Sequence, residues 1–214
     1  MAALERAQRR GLVGDSPLAD QLAHAEGFAQ TVEAHLGVAP GSFRGRWVDL
    51  GSGGGLPGLI LADRWPLAPG VFLDGSVRSG EFLAETVRSR EWGSRVGVVV
   101  ARAEDVGRDP AYRASFDVVV ARSFGPPPVV AECAAPLLKV DGILVVSEPP
   151  PEADRTAEDH EGRDRWPAVP LARLGLEPLA ATRFAYGYRV LRQGTPCPNQ
   201  FPRRVGVPRK RPLY

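Results

Sequence analysis

The sequence predicts an α/β fold: a Rossmann-like, mostly parallel seven-stranded sheet with helices on both faces and a short N-terminal helical extension. Three observations lead there. From residue 46 onward, short β-branched runs alternate with helical stretches. The runs are continuously apolar, as expected of parallel strands covered on both faces. A glycine-rich turn, VDLGSGGGLPG at residues 48 to 58, follows the first run, at the place where an open parallel sheet usually carries its ligand loop.

Ser16 and Pro17 form a helix start, a side-chain cap followed by a residue that needs no N–H there. The helix is expected over residues 17 to 36, with Gly37 closing it. RWVDL then reads as the first strand, PGLILADRW as a helix and VFLD as the second strand. SVRSGEFLAETVRSR is helical, RVGVVVA and FDVVVAR are strands three and four, PPVVAECAAPLL is a helix and GILVVSE is strand five. The stretch PPPEADRTAEDHEGRDR has too few apolar residues to pack and reads as an exposed or mobile loop. Two more strands, about 177 to 185 and 186 to 192, follow without an intervening helix, which predicts an antiparallel hairpin. The chain thus divides into a helical extension over 1–45, a ligand-binding domain over 46–200 and a basic tail over 201–214.

Composition narrows the function. At 214 residues the chain is long enough for one core domain. No apolar run approaches the roughly 18 residues that span a bilayer, and the start, MAALERAQRRG, has no apolar segment after its arginines. A cytoplasmic protein, free of membrane, is expected, and a monomer. Cys133 and Cys197 lie far apart and have no ligand at metal spacing, so both are expected to pack as small hydrophobes. His24, His35 and His160 lack ligand spacing too, and no metal is predicted. The net charge of +2 is unremarkable, but the last segment, FPRRVGVPRKRPLY, carries Arg203, Arg204, Arg209, Lys210 and Arg211 with no acid. That cluster suits the phosphates of a nucleic acid.

Gly51, Gly53, Gly54 and Gly55 let the backbone take positive φ and approach a ligand closely. Gly53-x-Gly55-x-x-Gly58 fits the dinucleotide fingerprint, which keeps a nicotinamide or flavin enzyme open. Asp74 ends the second strand 23 residues after Gly51, close to the spacing of about 20 expected of an acid that accepts from ribose hydroxyls. Either cofactor would use it.

The fuller pattern, Asp49-x-Gly51-x-Gly53-x-Gly55, resembles the first motif of class I S-adenosylmethionine-dependent methyltransferases. With LDGSVRSGEFL at 73 to 83, Ala103-Glu104, ARSF at 121 to 124 and the PRR-x-G-x-P-x-K-x-PL tail, the chain resembles the RsmG (GidB) family, which methylates N7 of a guanine in small-subunit (16S) ribosomal RNA. The resemblance implies S-adenosyl-L-methionine as cofactor and ribosomal RNA or the small subunit as partner. It places Asp49, Gly51, Gly53, Gly55, Leu56, Asp74, Ala103, Glu104 and Arg122 around the cofactor, with Arg122 also facing the reacting centre. It gives the five basic tail residues to RNA. Guanine N7 has a free lone pair, so no general base is assigned.

The sequence departs from that family at three places. A Lys-Gly pair expected after strand five is replaced by Ser147-Glu148-Pro149-Pro150, a second basic residue after Asp74 is lost at Arg78-Ser79, and the N-terminal region is short. These departures leave two alternatives: the same enzyme chemistry on a small molecule or another RNA, or a non-catalytic protein that binds cofactor or RNA.

Overall fold

A computed structural model describes residues 2–149 and 164–214. The loop expected between strand five and the hairpin lies almost entirely outside the described residues.

Two helices lead into the sheet: α1 (Ala2–Arg9), which the sequence reading did not anticipate, and α2 (Leu18–Leu36). Gly37 closes α2 in the left-handed conformation, φ 63°, as expected. Ser16 does not cap it. Pro17 holds that position with no side-chain bond, and the Ser16 carbonyl instead accepts from the side chains of Gln8 and Gln21.

The alternating units follow in the order predicted: β1 (Trp47–Leu50), α3 (Gly58–Arg64), β2 (Gly70–Asp74), α4 (Val77–Ser89), β3 (Val96–Val100), a short α5 (Ala103–Val106), β4 (Phe116–Ala121), α6 (Pro127–Ala134) and β5 (Leu138–Glu148). After α7 (Ala168–Ala172) come β6 (Leu176–Pro178), β7 (Thr182–Arg183) and β8 (Gly187–Gln193), and α8 (Val207–Lys210) lies in the tail. The sheet order is β3-β2-β1-β4-β5-β8-β6, with β7 attached to β8. The first five strands pair in parallel and β8 runs antiparallel to β5. The main path therefore has the seven strands predicted, and an eighth exists because the first arm of the expected hairpin is broken. β6 and β7 each pair with a different part of β8.

Alternating strand residues feed two apolar layers. Trp47, Phe72, Val118, Val120 and Val145 face α1 to α4, whereas Val48, Leu50, Val119 and Leu144 face α5, α6, α7 and the start of the tail. α2 is fastened to the first layer by Glu33, whose carboxylate accepts from Arg64, from Trp65 Nε1 at 2.9 Å and from the Gly41 N–H at 2.8 Å. The strand order reverses between β1 and β4, and that crevice is where ligands of open α/β sheets bind.

Candidate functional site

The glycine loop leaves β1 at the crevice. Gly51, Gly53 and Gly55 have φ of 76°, 51° and 95°. A Cβ at Gly51 would also stand 2.5 Å from the Phe124 ring, so this position excludes side chains twice over. The N–H groups of Gly51 and Ser52 donate to the Leu73 carbonyl, which ties the loop to the end of β2. Asp74 adds to this tie: one carboxylate oxygen accepts from Gly53 N–H and the other from Ser76 N–H, both at 2.8 Å. Asp74 thus holds the loop against the start of α4, and each oxygen keeps a lone pair for a ligand hydroxyl.

Asp49 is fully buried beneath the loop. Its Oδ2 accepts from Gly58 N–H at 2.9 Å, and its Oδ1 has no partner among the described residues. Burial pushes its carboxyl up to about 7, with the Asp74 charge adding to the rise and the Gly58 bond and Arg122 opposing it. Arg122, at the end of β4, donates from Nη2 to Gln21 Oε1 at 3.1 Å, while its Nη1 is buried without a partner among the described residues. Burial lowers the Arg122 guanidinium from its ordinary value, and Asp49 counteracts this.

Residues 12 to 14 roof the loop. Leu12 and Val13 lie so close to Gly54 that a Cβ there would collide with both. Gln21 Nε2 holds the Gly14 carbonyl at 2.6 Å. Between roof and loop lies a cleft of about 250 Å³, lined by Val13, Gln21, Gly51, Gly53, Leu56 and Arg122 among others. The signal for this segment in the sequence was a weaker resemblance to the family over RGLVGDSPLADQLAHAEGF, residues 10 to 28. Gln21 lies in that stretch, but its role depends on a partner 101 residues away.

Of the residues expected at the cofactor, Gly51, Gly53, Leu56 and Arg122 line the cleft, and Asp49, Gly55 and Asp74 support it. Ala103 and Glu104 are buried at the start of α5, outside its lining. Glu104 turns towards the tail, where Oε1 accepts from Gly206 N–H at 2.9 Å.

The tail is packed on the domain. Phe201 is buried in the second apolar layer, and Arg113 donates to the carbonyls of Phe201 and Cys197. Arg203 closes on Glu132, a wholly buried carboxylate, through Nε at 2.8 Å and Nη2 at 2.6 Å. Its guanidinium is thereby committed within the fold, whereas Arg204, Arg209, Lys210 and Arg211 are exposed. Among the described residues no group of three or more His, Cys, Asp or Glu is placed to hold a metal ion, and no helix is long and apolar enough to cross a membrane.

The cleft suits an amino-acid-bearing nucleoside. The methionine part of S-adenosyl-L-methionine carries a carboxylate, complementary in charge to Arg122, which lines the cleft and whose Nη1 has no partner among the described residues.

Similarity to known proteins gives the family and the fold. The family model described as rRNA small subunit methyltransferase G (GidB) matches residues 30–160. The ribosomal RNA small subunit methyltransferase G of Prochlorococcus marinus is 38% identical over 168 residues, covering 78% of this chain and 68% of that protein. The protein of the same name from Deinococcus radiodurans is 36% identical over 179 residues, covering 81% and 69%. Two crystal structures share the fold at much lower identity. A geranyl diphosphate C-methyltransferase from Streptomyces coelicolor superposes with a TM-score of 0.55 at 13% identity, covering 78% of this chain and 79% of that one. An O-methyltransferase family protein from Burkholderia thailandensis gives 0.54 at 16% identity, covering 78% and 57%. The fold is that of class I methyltransferases, and the cofactor is S-adenosyl-L-methionine. The chain belongs to the rRNA small subunit methyltransferase G family.

Proposed function

We propose that this enzyme methylates N7 of a guanine in small-subunit (16S) ribosomal RNA, acting as a monomer in the cytoplasm. The observation that carries the reading is Arg122, which lines the roofed glycine-loop cleft with its buried Nη1 unpartnered among the described residues. Bound there, S-adenosyl-L-methionine supplies an electrophilic methyl group that a ring nitrogen with a free lone pair can take without prior deprotonation.

The protein groups therefore have only to bind and orient. Gly51, Gly53 and Gly55 give close backbone approach, Leu56 packs on the cofactor, and Asp74 accepts from the ribose hydroxyls. Asp49 holds the loop from beneath through Gly58 N–H, and Arg122 holds the carboxylate at the boundary with the RNA side. Ala103 and Glu104 close the adenine end from α5, with Glu104 acting through its backbone, because its side chain is bound to Gly206. The roof over Gly54 excludes water. Holding nucleophile and methyl group in line can supply on the order of 7 to 11 kcal/mol of the barrier.

Arg204, Arg209, Lys210 and Arg211 are assigned to RNA phosphates, and Arg203 to fixing the surface that presents them. In this reading residues 1–45 form the roof and helical extension, 46–200 the cofactor-binding domain and 201–214 the basic tail.

The test is methyl transfer from labelled S-adenosyl-L-methionine to small ribosomal subunits and to their naked RNA, followed by nucleoside analysis. The expected product is 7-methylguanosine in small-subunit RNA. Label confined to another nucleoside, or to a small molecule, would overturn the reading.

A further inference from the structure

Past Ser123, which lines both cavities and itself holds a left-handed φ of 57°, the cofactor cleft gives way to a second cavity of about 400 Å³. It opens at the carboxyl ends of β4 and β5. Its walls are aromatic: the His24 ring stacks on Tyr186 at 4.3 Å and 10°, and Phe124 and Trp166 contribute to the lining. The stacked pair is fixed in place, since the Tyr186 hydroxyl donates to the Asp20 carbonyl at 3.1 Å. His24 is neutral at pH 7, because burial and then the Arg122 charge press its pKa down to about 4.

One carboxylate enters this cavity. Glu148, at the last position of β5, accepts from Trp166 Nε1 at 2.6 Å and from Arg165 Nη1 at 2.9 Å. Each bond occupies one oxygen, so the group is aimed and still has acceptor capacity. Arg165 also offsets its charge.

We infer that this cavity receives the target base of the RNA, a guanine stacked on the aromatic walls, with Glu148 accepting from its N1–H and its exocyclic amino group. The inference rests on the methyl-transfer reading above and adds to it the residue that selects the base. A base splayed out of RNA is commonly held by stacking on aromatic rings and by hydrogen bonds to its edges. Guanine alone among the four bases presents two adjacent donors on its pairing edge. A carboxylate, which only accepts, matches that pattern, whereas adenine and cytosine would turn a ring-nitrogen lone pair towards it, and uracil flanks its single N–H with two carbonyls. Holding guanine by this edge leaves N7, on another edge, free for the methyl group.

The experiment is calorimetric titration of the full chain, saturated with S-adenosylhomocysteine, with guanosine 5′-monophosphate and adenosine 5′-monophosphate. The Trp166 indole N–H resonance is followed as the reporter of place. The wild type is expected to prefer the guanine nucleotide by at least about tenfold, as a matched bidentate pair does, with the Trp166 resonance shifting on binding. Glu148→Gln still accepts from Trp166 but offers one acceptor and one donor, which suits adenine, so the preference should collapse or invert. Equal affinities in the wild type, no binding of either nucleotide, a Trp166 resonance that stays put, or an undiminished preference in Glu148→Gln would each overturn the inference. Methyl transfer to small-subunit RNA is scored separately. An enzyme that binds guanine here yet methylates another nucleoside would overturn the proposed function and leave the pocket standing.

Discussion

Arg122 and Gln21, 101 residues apart in sequence, meet through a 3.1 Å hydrogen bond from guanidinium Nη2 to the amide Oε1. The same amide binds the carbonyls of Gly14 and Ser16 through Nε2, so one side chain connects the end of β4 to the roof of the cofactor cleft.

Gln21→Ala should therefore loosen the roof and leave Arg122 unsteered. A hydrogen bond to a charged group contributes about 1.5 to 3 kcal/mol, so S-adenosylhomocysteine affinity is expected to fall by about tenfold or more. Calorimetry measures this. Unchanged affinity would remove Gln21 and the roof from the binding site.

Arg203 and Glu132 give a stability prediction. Arg203→Ala leaves the fully buried Glu132 carboxylate with the backbone N–H of residue 203 but without the guanidinium, which costs about 1.5 to 3 kcal/mol. Replacing both residues with leucine should recover most of that loss. Urea unfolding of the single and double variants separates the two cases, and equal losses in both would show that the pair holds nothing in place.

The exposed basic residues should behave in the opposite way. Alanine at Arg204, Arg209, Lys210 or Arg211 should leave stability within about 0.5 kcal/mol. Removing one phosphate-binding charge should flatten the salt dependence of RNA binding by about 0.7 in the log–log slope. Filter binding across a salt series tests this, and a slope equal to wild type in all four would place the RNA elsewhere.

Asp49 and His24 have opposed effects on pH stability. The Asp49 carboxyl is raised from 3.8 to about 7, so across that window the folded state holds a proton that the unfolded state has released, and stability falls as pH rises. His24 is lowered from 6.5 to about 4, so the unfolded state binds the extra proton and stability falls as pH drops through that range. Between pH 4 and 6.5 the two largely offset each other. Relative to wild type, Asp49→Asn should gain stability as pH rises from 4.5 to 6.5, and His24→Phe, which keeps a stacking ring, should lose it. Denaturant unfolding at several pH values gives the comparison, and parallel profiles for all three proteins would contradict both assignments.

The sheet was legible because its central strands are buried on both faces and their apolar runs stop at glycines and acids. RWVDL, VFLD and FDVVVAR all became strands, each within one residue of the expected ends. The position of Asp74 at the end of β2 was legible, whereas its ties to Gly53 and Ser76 were not. Helix α1 was not legible, since it buries only Ala3, Leu4 and Ala7, a face too small to stand out in a charged stretch. Nor was Ser16, whose capping side chain lost to the geometry set by Gln8 and Gln21. The tail's charge could be read, but the removal of Arg203 into a pair with Glu132, 71 residues away, is a tertiary fact with no local signature. Glu148 read in sequence only as a departure from the family's Lys-Gly pair, and its bonds to Arg165 and Trp166, 17 and 18 residues away, have no local signature.

The most direct test of the site is calorimetric titration of the purified protein with S-adenosylhomocysteine, repeated on Gly51→Val and Asp74→Ala. Gly51→Val forces a side chain into the Phe124 ring at a left-handed position, and Asp74→Ala releases Gly53 from the end of β2. Micromolar binding by the wild type, lost in both folded variants, is the predicted result. Binding that survives both substitutions undiminished would contradict the assignment of the roofed glycine loop as the cofactor site.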